Sequence, residues 1–599
     1  GEQVLCVANL SRFAQPVELD LTAYQGMLPV EMLGYVEFPV IRRGTYPLTL
    51  GPYAFMWFEL HGDPQAVAAR TSQTLETEVP LDASEGWDAL LEGYQRGRLE
   101  ALILPRFLAT QRWFGGKTRQ ITGTSIVDWG PLSASEAVVA LVQVAYEGGE
   151  ADQYVLPLAM AFGEAADRVV AATPGSVLCA VTVRERVGVC HDALVNETAS
   201  AALLACIDGD ATLPTRHGLL RGVAGRTFTA VRGSGDATLQ PRQAAGEQSN
   251  TSVIYGDRFI LKLFRRHQTG INPDCEVDRF LTEQARFDHV PPFAGSIEYH
   301  ARDRETATIA MLQGLVASEG DGWTGALEEL QRYYEACAPK PIPDKPPDAR
   351  EYVGIYLDAA AVLGRRTAEL HLALASGTRD PAFAPEPLTP DDLAHLATGL
   401  HDRAARAFDL MKDQLPRLPD EAVEEAGLVL RRRREFLARL RGLEGSEIGG
   451  LRIRIHGDYH LGQVLRMKGD YVILDFEGEP ARPLAERRVK HSPLKDVAGM
   501  VRSFSYAAYA ALLGYTARHP EEVDRLEPWA HLWQRSTAAE FLRAYREAAG
   551  AGGFLPPTPA GVEALLRAYL VDKALYEFLY EMDNRPTWVR IPLWGLSSL

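Results

Sequence analysis

An α+β architecture built in several parts is what the order of patterns along this chain predicts, and three observations predict it. The first sixty residues alternate apolar and polar side chains in the manner of strands. The middle third mixes strand and helix periodicities. Beyond a proline-dense run from Pro339 to Pro347, long helical patterns dominate to the end. At 599 residues the chain is too long for a single hydrophobic core, so two to four domains are expected.

Taken in order, Val4 to Leu60 reads as a small antiparallel β domain, with strand-like pieces at Val4-Leu5-Cys6-Val7, Val17-Glu18-Leu19 and Tyr53 to Phe58. The domain is bounded at residues 1–62, and the polar segment 63–86, without sustained period, reads as a linker. Residues 87–205 form the next expected unit: a helix over Trp87–Phe107, then strands at Ala137–Tyr146 and Gln153–Pro157. Residues 206–316 form a strand-rich unit with a helix over Glu276–Phe287 and a strand at Thr306–Leu312, and residues 317–599 a helical one. Within the last, only Leu451–Ile455 and Tyr471–Leu474 read as strands.

Composition removes several classes of function. A formal net charge of −17 leaves no basic face for a nucleic-acid backbone. The longest apolar helical stretch, near Ala359–Ala375, is interrupted by Arg365, Arg366 and Glu369, so no membrane span is expected. Six scattered cysteines without CxxC spacing fit reduced thiols and hence a cytoplasmic protein. The chain begins at Gly1 with no leader, which leads us to expect a removed tag or a missing upstream region.

The chemistry concentrates in His456-Gly457-Asp458-Tyr459-His460-Leu461-Gly462-Gln463, followed by the strand Tyr471–Leu474 that delivers Asp475-Phe476-Glu477. Phosphoryl transfer needs one carboxylate to orient the attacking hydroxyl and accept its proton, and separate oxygen ligands to hold magnesium against the nucleotide phosphates. Asp458 suits the first task; Gln463 and Asp475 suit the second. Such chemistry also needs a strand lysine against the phosphates, braced by a helical carboxylate. Lys262, within Arg258–Phe264, is the candidate, and Glu276 its expected partner. Gln248, Ser249 and Asn250 lie in a polar turn suited to cover the phosphates, and Met311 and Gln313 fall where chain order places adenine contacts. Plainer readings stand beside these. Aspartates often end strands in turns, a lone strand lysine often faces solvent, and the turn matches neither GxGxxG nor Walker A. The spacing of His456 and His460 admits zinc, but Gly457 and the missing HExxH glutamate oppose it.

A chain with these residues resembles bacterial maltokinases, enzymes of the bilobal, protein-kinase-like aminoglycoside-phosphotransferase fold that phosphorylate maltose with ATP at its anomeric hydroxyl. The resemblance covers about Trp87 to the C-terminus. It rests on Gln111-Arg112-Trp113-Phe114-Gly115-Gly116-Lys117, Arg365 to His371, Asp475 to Pro480, Ser492 to Met500, and Tyr576 to Glu581 with Asn584-Arg585-Pro586. The first of these sits in the family's N-terminal cap. Wider members of the fold carry Asn where this chain has Gln463. The resemblance implies ATP and Mg2+ as cofactors and maltose as acceptor, feeding α-glucan synthesis from trehalose. It places Lys262, Asp458 and Asp475 around one magnesium–nucleotide complex. It implies disaccharide contacts from His460, Tyr576, Glu577, Tyr580, Glu581, Asn584 and Arg585, although Tyr576 and Tyr580 at helical spacing also read as core aromatics with Glu577 and Glu581 solvated.

Gly51-Pro52-Tyr53-Ala54-Phe55-Met56-Trp57-Phe58 is similar to the C-terminal β domain of trehalose synthase, so the chain looks like part of a fused trehalose synthase–maltokinase, and its β domain offers an association surface for trehalose synthase. A catalytic (β/α)8 barrel does not fit in sixty residues. The competing expectations are a kinase for another sugar or small alcohol, a non-catalytic glycan-binding pseudokinase, and an isomerase or hydrolase.

Overall fold

In the computed structural model the described residues are 4–62 and 79–599, apart from residues 10, 12–14, 22–23, 26, 32–35, 42–44, 51–54, 134, 234–238, 245–248, 303–304, 341–348, 445, 447, 481, 551 and 586–587, and apart from the side chains of residues 36, 37, 49, 61, 62, 420, 421, 518, 520, 583 and 584. The chain divides into two compact units: residues 1–279 with 292–316, and residues 280–291 with 317–599.

In the first unit, the N-terminal β domain pairs Val4–Ala8, Phe55–Gly62, Met27–Glu31 and Val36–Glu37 in one antiparallel sheet, and Gln15–Asp20 with Thr45–Leu50 in a second. Alternation does the work: Tyr46, Leu48 and Leu50 point into a core with Leu21, Ile41, Phe58 and Leu60.

A seven-stranded sheet follows, built mainly from Ile121–Pro131, Val138–Tyr146, Asp152–Phe162, Val177–Val183 and Arg186–Asp192. Leu81–Asp82 already joins it by pairing in parallel with Val177–Val183, so sheet structure begins inside the segment read as linker. Trp113 and Phe114 of the Gln111–Lys117 motif are buried, with ring centroids 5.9 and 5.1 Å from that of Tyr154. Gly116 leaves no room for a side chain, since a Cβ there would meet the Tyr146 hydroxyl. The expected helix over Trp87–Phe107 is realised as a short helix, Trp87–Leu91, and a second helical run from Arg96 to Thr110 that widens to a π-helical turn at Leu99–Ile103, with Gly93 in the break between them.

The second seven-stranded sheet is antiparallel throughout and runs in space Thr212–Pro214, Gly218–Ala224, Phe293–Ala301, Ala307–Gly314, Phe259–Phe264, Asn250–Tyr255, Pro241–Gln243. The helix Glu197–Asp208, capped by the Asn196 side chain on the Ala199 N–H, packs Leu203 and Ile207 against Leu220, Ile297 and Leu261. Val139, Leu141 and Val155 of the preceding sheet share this core.

A buried ion pair bolts the two sheets together. Arg265 donates to Asp192 (2.6 Å) and to Thr251 Oγ1 (2.8 Å), and its guanidinium lies 4.7 Å from the centre of the Trp113 ring. We expect Asp192→Ala to destabilise this unit by about 3–5 kcal/mol, because it strands a buried guanidinium. A urea midpoint unchanged from the parent would contradict this.

In the second unit, the helix Leu494–Tyr515 is buried along most of its length; its surface is mainly apolar, and its buried charges, Asp496 and Arg502, are paired with His371 and Glu577. Val523–Ala549 and Pro559–Asn584 pack against it, and Tyr356–Leu374 packs against Val523–Ala549. Two small two-stranded ladders interrupt the helices: Glu386–Pro387 pairs with Leu451–Arg452 across an intervening set of helices, and Val464–Met467 forms a hairpin with Asp470–Ile473. Among the described residues, no helix is long and apolar enough to cross a membrane.

Candidate active site

In the first unit, Lys262 sits in the strand Phe259–Phe264, and its ammonium meets Asp274 Oδ2 at 3.0 Å. Asp274, not Glu276, is therefore the acidic partner that faces the lysine. The expected helix starts earlier than its periodicity suggested, running Pro273–Phe280, because Asn272 accepts the Asp274 N–H through its side chain (2.8 Å) and Pro273 suits a first turn. That start places Asp274 and Asp278 one turn apart on one face, and turns Glu276 about 200° away from Asp274. Asp278 accepts from the Gln313 amide (2.8 Å). Burial, and then the charge of Asp274, hold its carboxyl well above the ordinary carboxylate range.

Met311 and Gln313 occupy Ala307–Gly314, a strand paired on both sides, with Met311 opposite Lys262 and Ser296. The two residues expected at adenine thus stand inside a sheet, with neighbouring strands along both edges of theirs. Gln248 lies outside the described residues; Ser249 is exposed, and Asn250 is buried at the start of Asn250–Tyr255.

In the second unit, the loop His456–Gln463 is held by a carboxylate the sequence reading did not assign. Asp496, fully buried in the helix Leu494–Tyr515, accepts the backbone N–H of His456 (2.8 Å) and of Gly457 (2.9 Å) and bonds His371 Nε2 (3.1 Å). Tyr545 closes the network on His371 Nδ1 at 2.9 Å. Gly457 has φ +89°, and a Cβ there would lie 3.2 Å from the Cα of Gly478. Only glycine lets the two loops approach this closely.

Asp458 faces Lys573 of the helix Pro559–Asn584, with Oδ1 3.2 Å from Nζ. Burial pushes the Asp458 carboxyl up, but the Lys573 ammonium, with His460 and His456, outweighs it and leaves the group below the usual carboxylate range. His460 accepts the Gly462 N–H through Nδ1 (3.0 Å), and burial holds its imidazole below its ordinary value. Gln463 and Asp475 meet directly, the amide donating to Asp475 Oδ2 at 2.8 Å. Asp475 adopts φ +68°, a left-handed conformation that costs a non-glycine residue on the order of 1 kcal/mol and is typical of functional positions. The carboxylate oxygens of Asp475 and Glu477 come within 4.8 Å of each other. An all-oxygen donor set of this kind suits a hard divalent cation rather than zinc.

Above Asp458 opens a cavity of about 260 Å³. Gly457, Asp458 and Tyr459 form its floor; Arg403 and Arg406 come from Pro390–Gln414, Lys495, Asp496 and Gly499 from Leu494–Tyr515, and Tyr569, Asp572, Lys573 and Tyr576 from Pro559–Asn584. Glu479 and Arg482 complete the wall.

Of the residues expected to touch a disaccharide, Tyr576 lines this cavity. Tyr576 and Tyr580 are about half exposed and stack on one another, centroids 6.5 Å apart, so they are not core aromatics. Glu577 and Glu581 are turned inward instead of being solvated. Arg502 donates to Glu577 (2.6 Å), Tyr506 donates to Glu581, and Arg585 bonds Glu581 (2.8 Å) while lying over Trp588. Their carboxylates are thus engaged in internal pairs and are absent from the cavity lining. The side chain of Asn584 lies outside the described residues.

Sequence reasoning missed Asp274, Asp496 and Lys573. Asp274 carried a signal in its Asn-Pro cap and its i, i+4 relation to Asp278. Lys573 carried none, being 115 residues from Asp458.

Comparison with known proteins agrees with this architecture. Residues 1–57 match the maltogenic amylase C-terminal domain and residues 107–194 the maltokinase N-terminal cap domain. A glucosamine kinase from Mycolicibacterium smegmatis is 29% identical over 392 residues, covering 64% of this chain and 84% of that protein. A trehalose synthase/amylase of the same organism is 55% identical over 65 residues, 11% of either chain. Among solved structures, a glucosamine kinase in complex with glucosamine, ADP and inorganic phosphate superposes with a TM-score of 0.54 at 20% identity, covering 79% of this chain and 93% of that one. The fold is thus the one seen in that glucosamine kinase structure, with a segment that matches the maltokinase N-terminal cap domain and, ahead of it, one that matches the maltogenic amylase C-terminal domain.

Proposed function

We propose that the chain transfers the γ-phosphoryl group of ATP to the anomeric hydroxyl of maltose, giving maltose 1-phosphate and ADP. The observation that carries this reading is Asp458: a carboxylate held below its usual range at a cavity that several charged side chains line, with an aromatic side chain on its wall. An acceptor hydroxyl seated there gives its proton to Asp458 as its oxygen bonds to phosphorus and the bond to the ADP oxygen breaks. Lys262, braced by Asp274, steadies the nucleotide phosphates. Asp475 and Gln463, with Glu477 beside them, are the residues that would hold Mg2+, which supplies charge neutralisation for the phosphates. The amide of Gln463 turns its nitrogen to Asp475, leaving its carbonyl oxygen for a cation. Tyr576 is an aromatic surface for a sugar face. Six free cysteines fit a cytoplasmic setting, and the amylase-type β domain fits association with, or fusion to, trehalose synthase.

The glucosamine kinase relatives favour a second reading, in which the acceptor is an amino sugar. ADP release from Mg-ATP, measured with maltose, glucosamine, glucose, trehalose or no sugar, separates the two. We expect maltose to give the highest kcat/KM. Preference for glucosamine sinks the first reading, and nucleotide binding without transfer to any acceptor points to a pseudokinase.

A further inference from the structure

The residue beside the proton acceptor is supplied from a distant helix, and its surroundings assign it a task. Lys573 lies 3.2 Å from Asp458 Oδ1 and 5.1 Å from the centre of the Tyr576 ring, on the wall of the cavity. The other carboxylates of that wall are committed elsewhere: Asp572 to Arg403 at 3.0 Å, Glu479 to Lys495 at 3.6 Å and to Arg482, and Asp496 to His371 and two backbone amides. Among the described residues, an ammonium-bearing acceptor therefore finds no uncommitted carboxylate there, and finds Lys573 beside the point where its hydroxyl must go.

We propose that Lys573 is a positioning residue of the transfer site, which fixes the Asp458 carboxylate in one orientation and in its ionised form and thereby disfavours cationic acceptors. The proposal rests on the reading of Asp458 as proton acceptor. The groups facing Asp458 are His456 and His460 from its own loop and Lys573 from Pro559–Asn584; Glu479 and Glu577 in turn face Lys573. Around them stand Arg482, Lys495 and Asp496. Of the groups that hold the Asp458 proton off, Lys573 is the largest contributor, and burial works against it. Without the ammonium, burial has the larger say and the carboxyl titrates higher.

The test compares the parent chain with Lys573→Met and Lys573→Arg. In kcat/KM for maltose-dependent ADP formation, Lys573→Met is expected to move the acid limb up by about 1–2 pH units, and Lys573→Arg to restore it. The ratio of kcat/KM for glucosamine to that for maltose is expected to rise about tenfold in Lys573→Met, as Asp458 is released to attract an amine. A readout independent of turnover is the 13Cγ resonance of Asp458 in aspartate-labelled protein, assigned through Asp458→Asn, whose titration midpoint should rise in Lys573→Met. An unmoved midpoint overturns the proposal, as does equal impairment of the Met and Arg variants at every pH, which marks a packing role. Should the parent chain phosphorylate none of the acceptors, the assigned function falls, and the resonance still decides what Lys573 does to Asp458.

Discussion

Asp458→Asn is expected to lower the rate of maltose-dependent ADP formation by about 10²–10⁴-fold. The amide is nearly isosteric with the carboxylate but cannot take up the acceptor proton, so the loss belongs to kcat, with a smaller change in KM. The loop should keep its shape, because its backbone is held by Asp496 and not by Asp458. A variant with parental turnover removes Asp458 from the chemistry.

Asp496→Ala should have the largest effect on the fold of the second unit. The substitution leaves the His456 and Gly457 amides and the buried His371 without their acceptor, which costs about 3–5 kcal/mol. Activity should vanish with it, since the loop bearing Asp458 loses its anchor. The parent chain carries the same dependence in its response to acid. Burial pushes the Asp496 carboxyl up, but His371 and the further hydrogen bonds win, so its folded value lies below the ordinary one. The stability it contributes is therefore full above about pH 4, the unfolded value, and is lost as pH falls through the folded value. Denaturation of Asp496→Ala at neutral pH with the parental midpoint would contradict this account.

What was legible in the sequence follows a physical division. Alternation in the first sixty residues, the strand at 307–314 and the helices beyond 352 were readable because each is a local pattern repeated several times. The motif around Asp458 was readable because a short loop and the following strand carry their ligands within 20 residues of chain. Contacts set by tertiary packing were not. Lys262 was placed on its strand correctly, yet its partner depended on which residue began the next helix, and an Asn-Pro start three residues earlier moved Asp274 into the place given to Glu276. The glutamates at 577 and 581 were expected at the disaccharide, with solvation beside their tyrosines as the competing reading, but Arg502 and Arg585, one of them from another helix, draw them inward.

The hairpin joining the two prospective metal-holding residues has a consequence of its own. Gln463 stands at its open end next to Val464, and Asp475 one residue past Leu474, whose N–H donates to the Gln463 backbone carbonyl, while the turn at Lys468-Gly469 closes the other end. The gap between amide and carboxylate is thus gauged by the width of a two-stranded ribbon and not by how much chain runs between them. Lengthening or shortening the far turn should leave the grip on a cation undisturbed, whereas a slip of one step in the ribbon would swing one of the pair to the opposite side.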